Sequence, residues 1–256
     1  RAVAAVSPAE AWIAGSAGTV LRWDGQTWQT VNAKVSDDLF LLEPLPASPG
    51  EPPGLLAAWN FAGFGAFLHW DGSEWKSDFK VDKFTGTIYD LAFTADDAGW
   101  AVGTTGPGLT ALYRWDGSAW QPVEPPAGVG ILYGVSFAAP DDGWAVGADG
   151  SLLRWDGQIW TAQSNLGETN LRDVQMLSST DGWIAAEGGF LFHWDGRAWS
   201  EASSPTSLDI FSLAMQSAEQ GWAVGDSGMV LHWDGLQWRP VIRPVISSLN
   251  SISVVP

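Results

Sequence analysis

Three features of this 256-residue chain predict an all-β fold, a propeller of about six four-stranded antiparallel blades. The tripeptide Trp-Asp-Gly occurs six times, starting at Trp23, Trp70, Trp115, Trp155, Trp194 and Trp233, at intervals of 47, 45, 40, 39 and 39 residues. A second tryptophan follows each by five positions: Trp28, Trp75, Trp120, Trp160, Trp199 and Trp238. A third precedes each by 11 residues, or by 15 in one repeat: Trp12, Trp59, Trp100, Trp144, Trp183 and Trp222. These account for all 18 tryptophans, so the aromatic excess belongs to a repeat about the length of a propeller blade.

Within one repeat, four short apolar segments follow one another, for example 132–138, 143–147, 151–155 and 158–162. Each has strand length and is bounded by Gly, Asp or Pro. No segment keeps a helical period, which excludes helical solenoids of similar repeat length. Asp-Gly is a strong hairpin signal. If Asp24-Gly25 forms a two-residue type I′ turn, Trp23 pairs with Gln26 and Leu21 with Trp28, and both indoles share one face as diagonal neighbours; a longer turn changes that pairing. Blades stacked face to face bury most of this surface, so the tryptophans, with Asp24 and Gly25, read as scaffold.

Overlaying the repeats gives one domain over 1–256, with repeats at 1–38, 39–86, 87–130, 131–169, 170–208 and 209–248. Residues 249–256 then read as a closing strand. That segment competes with 2–6 for the first strand of blade one, and its β-branched 252–255 is the better strand former. Either it completes blade one, or the array continues to seven blades or more.

Charge narrows the function classes. With 12 basic against 29 acidic residues the net charge is −17. Neutralising phosphates needs a basic footprint, which excludes nucleic acid and disfavours anionic membrane surfaces. There is no cysteine to form disulfides or act as nucleophile. No apolar run approaches the roughly 18 residues of a membrane span, so membrane insertion is not expected, and the first residues do not read as a signal peptide.

The stretch from Gly143 to Trp160, Gly-Trp-Ala-Val-Gly-Ala-Asp-Gly-Ser-Leu-Leu-Arg-Trp-Asp-Gly-Gln-Ile-Trp, resembles the repeat of the photosystem II assembly and stability factor family and its non-photosynthetic bacterial relatives. It is also similar to a shortened Asp-box of sialidases, although here Asp and Gly are adjacent. The resemblance spans nearly the whole chain. It implies a propeller that binds a protein partner, often outside the cytoplasm. The photosystem factor's arginine-rich patch has no obvious counterpart here.

The residue before each Trp-Asp-Gly is Arg22, His69, Arg114, Arg154, His193 or His232, which includes every histidine of the chain. At equivalent points of separate blades these side chains do not converge on a metal. They are expected to stack on aromatics or to pair with carboxylates between blades. Asp97, Asp142 and Asp181 read as turn formers. A sialidase-like site would need clustered arginines and a Tyr or carboxylate pair. Arg1, Arg172, Arg197, Arg239 and Arg243, with Tyr89, Tyr113 and Tyr133, show no such arrangement. No catalytic residue, metal or cofactor is expected.

Departures from the repeat are the better candidates for function, because loops carry variation on a fixed scaffold. A Pro-rich insertion at 43–54 lengthens the turn between first and second strands of repeat two. Another at 104–110 lengthens the turn between second and third strands of repeat three, and the two should project from opposite ends of the blades. Lys76, Lys80 and Lys83 gather in the connection between those repeats. Together with Thr104, Thr105, Pro107 and Leu109 they form the candidate binding set for a protein partner. A glycan is the alternative, and it requires solvent-facing tryptophans.

Overall fold

The computed structural model describes residues 1–45, 55–61, 64–77, 84–95, 97–106, 108–241 and 245–255. They form six antiparallel sheets of propeller-blade type in meander order, the second with an added short strand, Phe84–Thr85, paired to Phe64–Trp70, and the chain has a β-propeller fold. The chain divides into two compact units, Arg1–Glu124 with Val255–Pro256, and Pro125–Val254.

Unit 1 holds blade one (Ala2–Ser7, Glu10–Ala14, Thr19–Trp23, Trp28–Asn32), blade two (Leu39–Pro44, Leu55–Phe61, Phe64–Trp70, Trp75–Ser77) and blade three (Thr87–Ala95, Ala98–Gly106, Leu109–Trp115, Trp120–Pro122). Unit 2 holds blade four (Leu132–Ala139, Asp142–Gly147, Leu152–Trp155, Trp160–Ala162), blade five (Leu171–Ser178, Asp181–Ala186, Leu191–Trp194, Trp199–Ala202) and blade six (Ile210–Ser217, Gln220–Gly225, Val230–Trp233, Trp238–Pro240).

The Trp-Asp-Gly hairpin is longer than two residues. Trp23 pairs directly with Trp28, and the same holds for Trp70 and Trp75, Trp115 and Trp120, Trp155 and Trp160, Trp194 and Trp199, and Trp233 and Trp238. A type I′ turn needs positive φ at both central residues, but Gly25 has φ 91° and Asp24 is not left-handed. Its carboxylate instead accepts the amides of Gln26 (2.9 Å) and Thr27 (2.8 Å), an Asx turn, and the Asp24 amide donates to the Thr27 carbonyl at 3.3 Å. The two indoles therefore sit directly across from each other, tilted by 42–53°, with centroids 5.5–5.7 Å apart in all six blades.

All six turn carboxylates are held below the usual range. The leading cause is the Thr27 amide for Asp24, the Lys76 ammonium for Asp71 and the Ser118 hydroxyl for Asp116. It is the Ile159 amide for Asp156, the Ala198 amide for Asp195 and the Arg239 guanidinium for Asp234, which falls to about 2. A depressed folded pKa stabilises the fold above the unfolded value near 3.8 and loses that stabilisation as pH falls through the folded value. Acid titration followed by circular dichroism should show stability held at pH 5 and lost progressively below about pH 4. Replacing Asp156 and Asp195 together by Asn should flatten part of that loss.

Three of the tryptophan pairs are sockets for the first tryptophan of the preceding blade. Trp12 sits 4.9 Å from Trp70 and 5.6 Å from Trp75 of the next blade. Trp144 does the same on Trp194 and Trp199 (4.9 and 5.4 Å), and Trp183 on Trp233 and Trp238 (4.8 and 5.4 Å). Tilted and edge-on contacts of this kind add to the burial of large apolar surfaces. In blade two the register places Leu56 opposite His69, while Trp59 lies opposite Ala66, three residues further along the strand. The equal sequence spacing of Trp59 is thus misleading, because the second and third strands of this blade are longer. Phe67 supplies the aromatic contact to blade three, 5.6 Å from Trp120.

The closing-strand expectation for 249–256 is corrected. Ala2–Ser7 forms the first strand of blade one, pairing with Glu10–Ala14. Residues 249–255 form no strand. Leu249 donates to the Gly225 carbonyl (2.9 Å) and Ile252 to the Ser212 hydroxyl (3.4 Å), so this segment runs beside the first strand of blade six.

Candidate functional site: the turn end of the blades

In a meander, the turn between second and third strands emerges at the same end as the connection to the next blade. In blades one, four, five and six that turn is a single tight loop: Ser16–Gly18, Ala148–Gly150, Glu187–Gly189 and Asp226–Gly228. Its middle residue is left-handed, at Ala17, Asp149, Gly188 and Ser227. That geometry turns backbone amides toward the following connection. Ala17 donates to Asp38 (3.0 Å), Asp149 to Asn170 (3.1 Å) and Gly188 to Asp209 (2.8 Å), each acceptor being the side-chain oxygen of an Asx residue just before a first strand. Gly150 donates to the Thr169 carbonyl at 2.8 Å. The turns are thereby stapled to the connections, and in unit 2 blades four and five present this end as a stapled platform.

Five first strands carry a β-bulge at the same place. Their extra residue is Phe40 and Tyr89 in unit 1, and Tyr133, Arg172 and Phe211 in unit 2. A bulge breaks the strict alternation of a strand and re-aims one side chain. Four of the five are aromatic and the fifth is the arginine that lies over one of them: the Arg172 guanidinium is 4.8 Å from the Tyr133 ring centroid. Arg172 also pairs with Glu187, whose carboxylate accepts the Asn170 amide at 2.8 Å.

Beside these bulges, unit 2 holds a half-buried carboxyl. Asp173 accepts the Leu213 amide at 2.7 Å, yet desolvation pushes its pKa up to about 6. A folded pKa above the unfolded 3.8 means that the carboxylate is a burden that is absent below about pH 4 and complete above about pH 6. Asp173→Asn keeps an acceptor for Leu213. Its stability advantage over the parent, measured by urea unfolding, should grow from near zero at pH 4 toward about 3 kcal/mol at pH 7. In unit 1, Glu43 is raised well above its usual range by burial and then by Asp90.

The sequence candidates fare unevenly. Thr104 pairs with Thr110 and Gly106 with Leu109, so the repeat-three insertion is an extension of two paired strands rather than a loop. Thr104 Oγ1 donates to the Leu109 carbonyl (2.8 Å), Thr105 is half-buried, and Leu109 is 62% exposed at the tip. Lys76 lies at the start of its strand, at the opposite end of the blade from this hairpin, with its ammonium on Asp71. Lys80, Lys83, Pro107 and most of the Pro-rich insertion lie outside the described residues.

The cationic positions stack as expected, but their carboxylates come from the same blade. Arg22 lies 5.2 Å from Trp12 and pairs with Glu10 (2.8 Å). Arg154 lies 4.8 Å from Trp144 and pairs with Asp142 (3.0 Å). His193 stacks on Trp183 at 4.6 Å and meets Asp181 at 2.9 Å. Asp142 and Asp181, read as turn formers, thus also hold the cation. Among the described residues no three His, Asp or Glu side chains come together as a metal site. Of the tryptophans whose side chains are described, only Trp28 is exposed, at 45%, and the glycan reading loses the solvent-facing tryptophans it required. The Asx residues before the first strands and the aromatic bulge positions were missed in the sequence, although each recurs with the repeat.

No protein-family model and no curated protein matches the chain. Solved structures do. YCF48 bound to a D1 peptide is similar at a TM-score of 0.68 and 19% identity, covering 93% of this chain and 79% of that one. YCF48 from Cyanidioschyzon merolae gives 0.68 and 16%, covering 95% and 85%. The WD40 β-propeller domain of Doa1 gives 0.75 and 14%, covering 100% and 86%. At such identities the likeness establishes the fold alone, and what it establishes is a β-propeller.

Proposed function

We propose that this chain is a non-catalytic propeller that binds a protein partner through the turn end of its blades. The observation that carries this reading is the stapled platform: turns fixed by backbone amides, with bulges presenting aromatic and guanidinium side chains beside them. A surface ordered before binding loses little conformational entropy when a partner docks. The YCF48 structure in complex with a D1 peptide supports the reading, because a chain of this fold there holds a protein-derived ligand. An extracytoplasmic place of action, which the resemblance implies, belongs to the same proposal and is checked by cell fractionation.

The test is affinity capture with the whole chain, followed by pairwise binding of each captured protein in purified form. A saturable complex weakened by changes at the turn end, and unaffected by changes in the Trp-Asp-Gly turns, is the expected result. Binding to glycans without any protein partner would overturn the proposal.

A further inference from the structure

The bulges of unit 2 define a more specific site. Tyr133, Arg172 and Phe211 occupy the same position on three successive first strands, so a segment crossing these blades meets an aromatic ring, a guanidinium and a second aromatic ring in turn. The first strands lie side by side, tied by bonds such as Met176 amide to Ser136 hydroxyl (3.0 Å) and Met215 amide to Gln175 (2.6 Å). Phe211 is half-buried and lies outside both hydrophobic cores of the unit. Arg172 is held in place by Tyr133 and Glu187, and its Nε is buried with no hydrogen-bond partner among the described residues.

Charge completes the description. Asp149, Glu168, Glu187, Asp209 and Asp226 lie in the turns and connections at this end of unit 2, where Arg172 is the one cation among the described residues of the unit. Five carboxylates against one guanidinium, on a chain of net charge −17, favour a cationic ligand and repel an acidic one.

We propose, building on the protein-binding reading above, that the row Tyr133, Arg172 and Phe211 receives an extended basic peptide segment of the partner. An aromatic side chain of that segment packs on Phe211 and Tyr133, while flanking Lys or Arg residues meet the rim carboxylates. The elongated row, one contact per blade, suits an extended backbone. The neutralised Arg172 acts as a flat stacking surface between the two rings rather than as an anion receptor.

The experiment uses the full chain and fluorescein-labelled peptides of about ten residues in three classes: Lys/Arg with Phe, Lys/Arg with Ala, and Asp/Glu with Phe, read by fluorescence anisotropy at ~50 and ~200 mM salt. The basic aromatic class should bind most tightly and weaken with salt. Phe211→Ser should weaken it about tenfold or more. Glu168→Lys changes an exposed connection residue and should weaken binding and shrink the salt dependence with no change in the circular dichroism spectrum. Equal or tighter binding of the acidic class overturns the proposal, as does a basic aromatic affinity unmoved by both variants. If a purified partner binds the parent chain and both variants equally, the protein-binding reading stands and this site falls. If no partner and no peptide binds, both fall.

Discussion

Replacing Trp183 with alanine is expected to destabilise unit 2 by about 3–5 kcal/mol, the largest single-residue effect we anticipate in the core. Trp183 is 3% exposed and is clasped on three sides, with ring centroids 4.6 Å from His193, 4.8 Å from Trp233 and 5.4 Å from Trp238. Its removal leaves a cavity between two blades and uncovers the Trp233–Trp238 pair on which it rests. Close-packed interiors collapse only partly into such a void. Guanidinium unfolding monitored by circular dichroism should show a lower midpoint at unchanged slope. Trp28→Ala is the control, since at 45% exposure it is the most open of the described tryptophans and its loss should cost less. A midpoint for Trp183→Ala close to that of Trp28→Ala would show that the inter-blade socket is not what holds the unit.

Gly150→Ala should cost about 2–4 kcal/mol although it adds one methyl group. Gly150 has φ 70°, a region that side-chain-bearing residues enter at a cost of about 1–2 kcal/mol. A Cβ there would lie 2.2 Å from the Gly167 carbonyl oxygen, a backbone atom that cannot swing aside. Relief requires the turn to move off the connection, which breaks the hydrogen bond from the Gly150 amide to the Thr169 carbonyl and loosens the staple beside Arg172. Gly128→Ala separates the two contributions. Gly128 has φ 80° with nothing near its missing Cβ, so it should pay the conformational cost alone. Thermal unfolding of both variants checks this, and equal losses would remove the steric part of the account. Hydrogen exchange at residues 149–150 and 169–170 should rise in Gly150→Ala only.

How far the sequence reaches is shown by its own signals. The six Trp-Asp-Gly turns were legible because turn chemistry is local: an Asp that can accept the next amides and a Gly that tolerates positive φ act within four residues. Their period gave the strands and the blades. The pairing within the turn was not legible, since two-residue and four-residue loops share the same Asp-Gly pair. Trp59 shows the same limit. Its spacing matches Trp12 and Trp144, but strand register depends on the length of the hairpin beyond it, and the longer pairing of blade two moved Leu56 into the repeated position.

The sequence by itself determined the β-propeller class, the number of Trp-Asp-Gly hairpins and the cationic position that stacks on the first tryptophan in every blade but blade two. Those features repeat, and each arises from a few adjacent residues whose backbone preferences are strong. Only the tertiary structure decided which segment forms the first strand of blade one, where the bulges fall, and which Asx residue receives the amides of the preceding turn. These are non-local choices, made between partners about 20 or 40 residues apart that compete for the same hydrogen bonds. Local propensity ranked 252–255 above 2–6 as a strand. Pairing with Glu10–Ala14, close in sequence and therefore cheap in loop-closure entropy, gave the position to Ala2–Ser7.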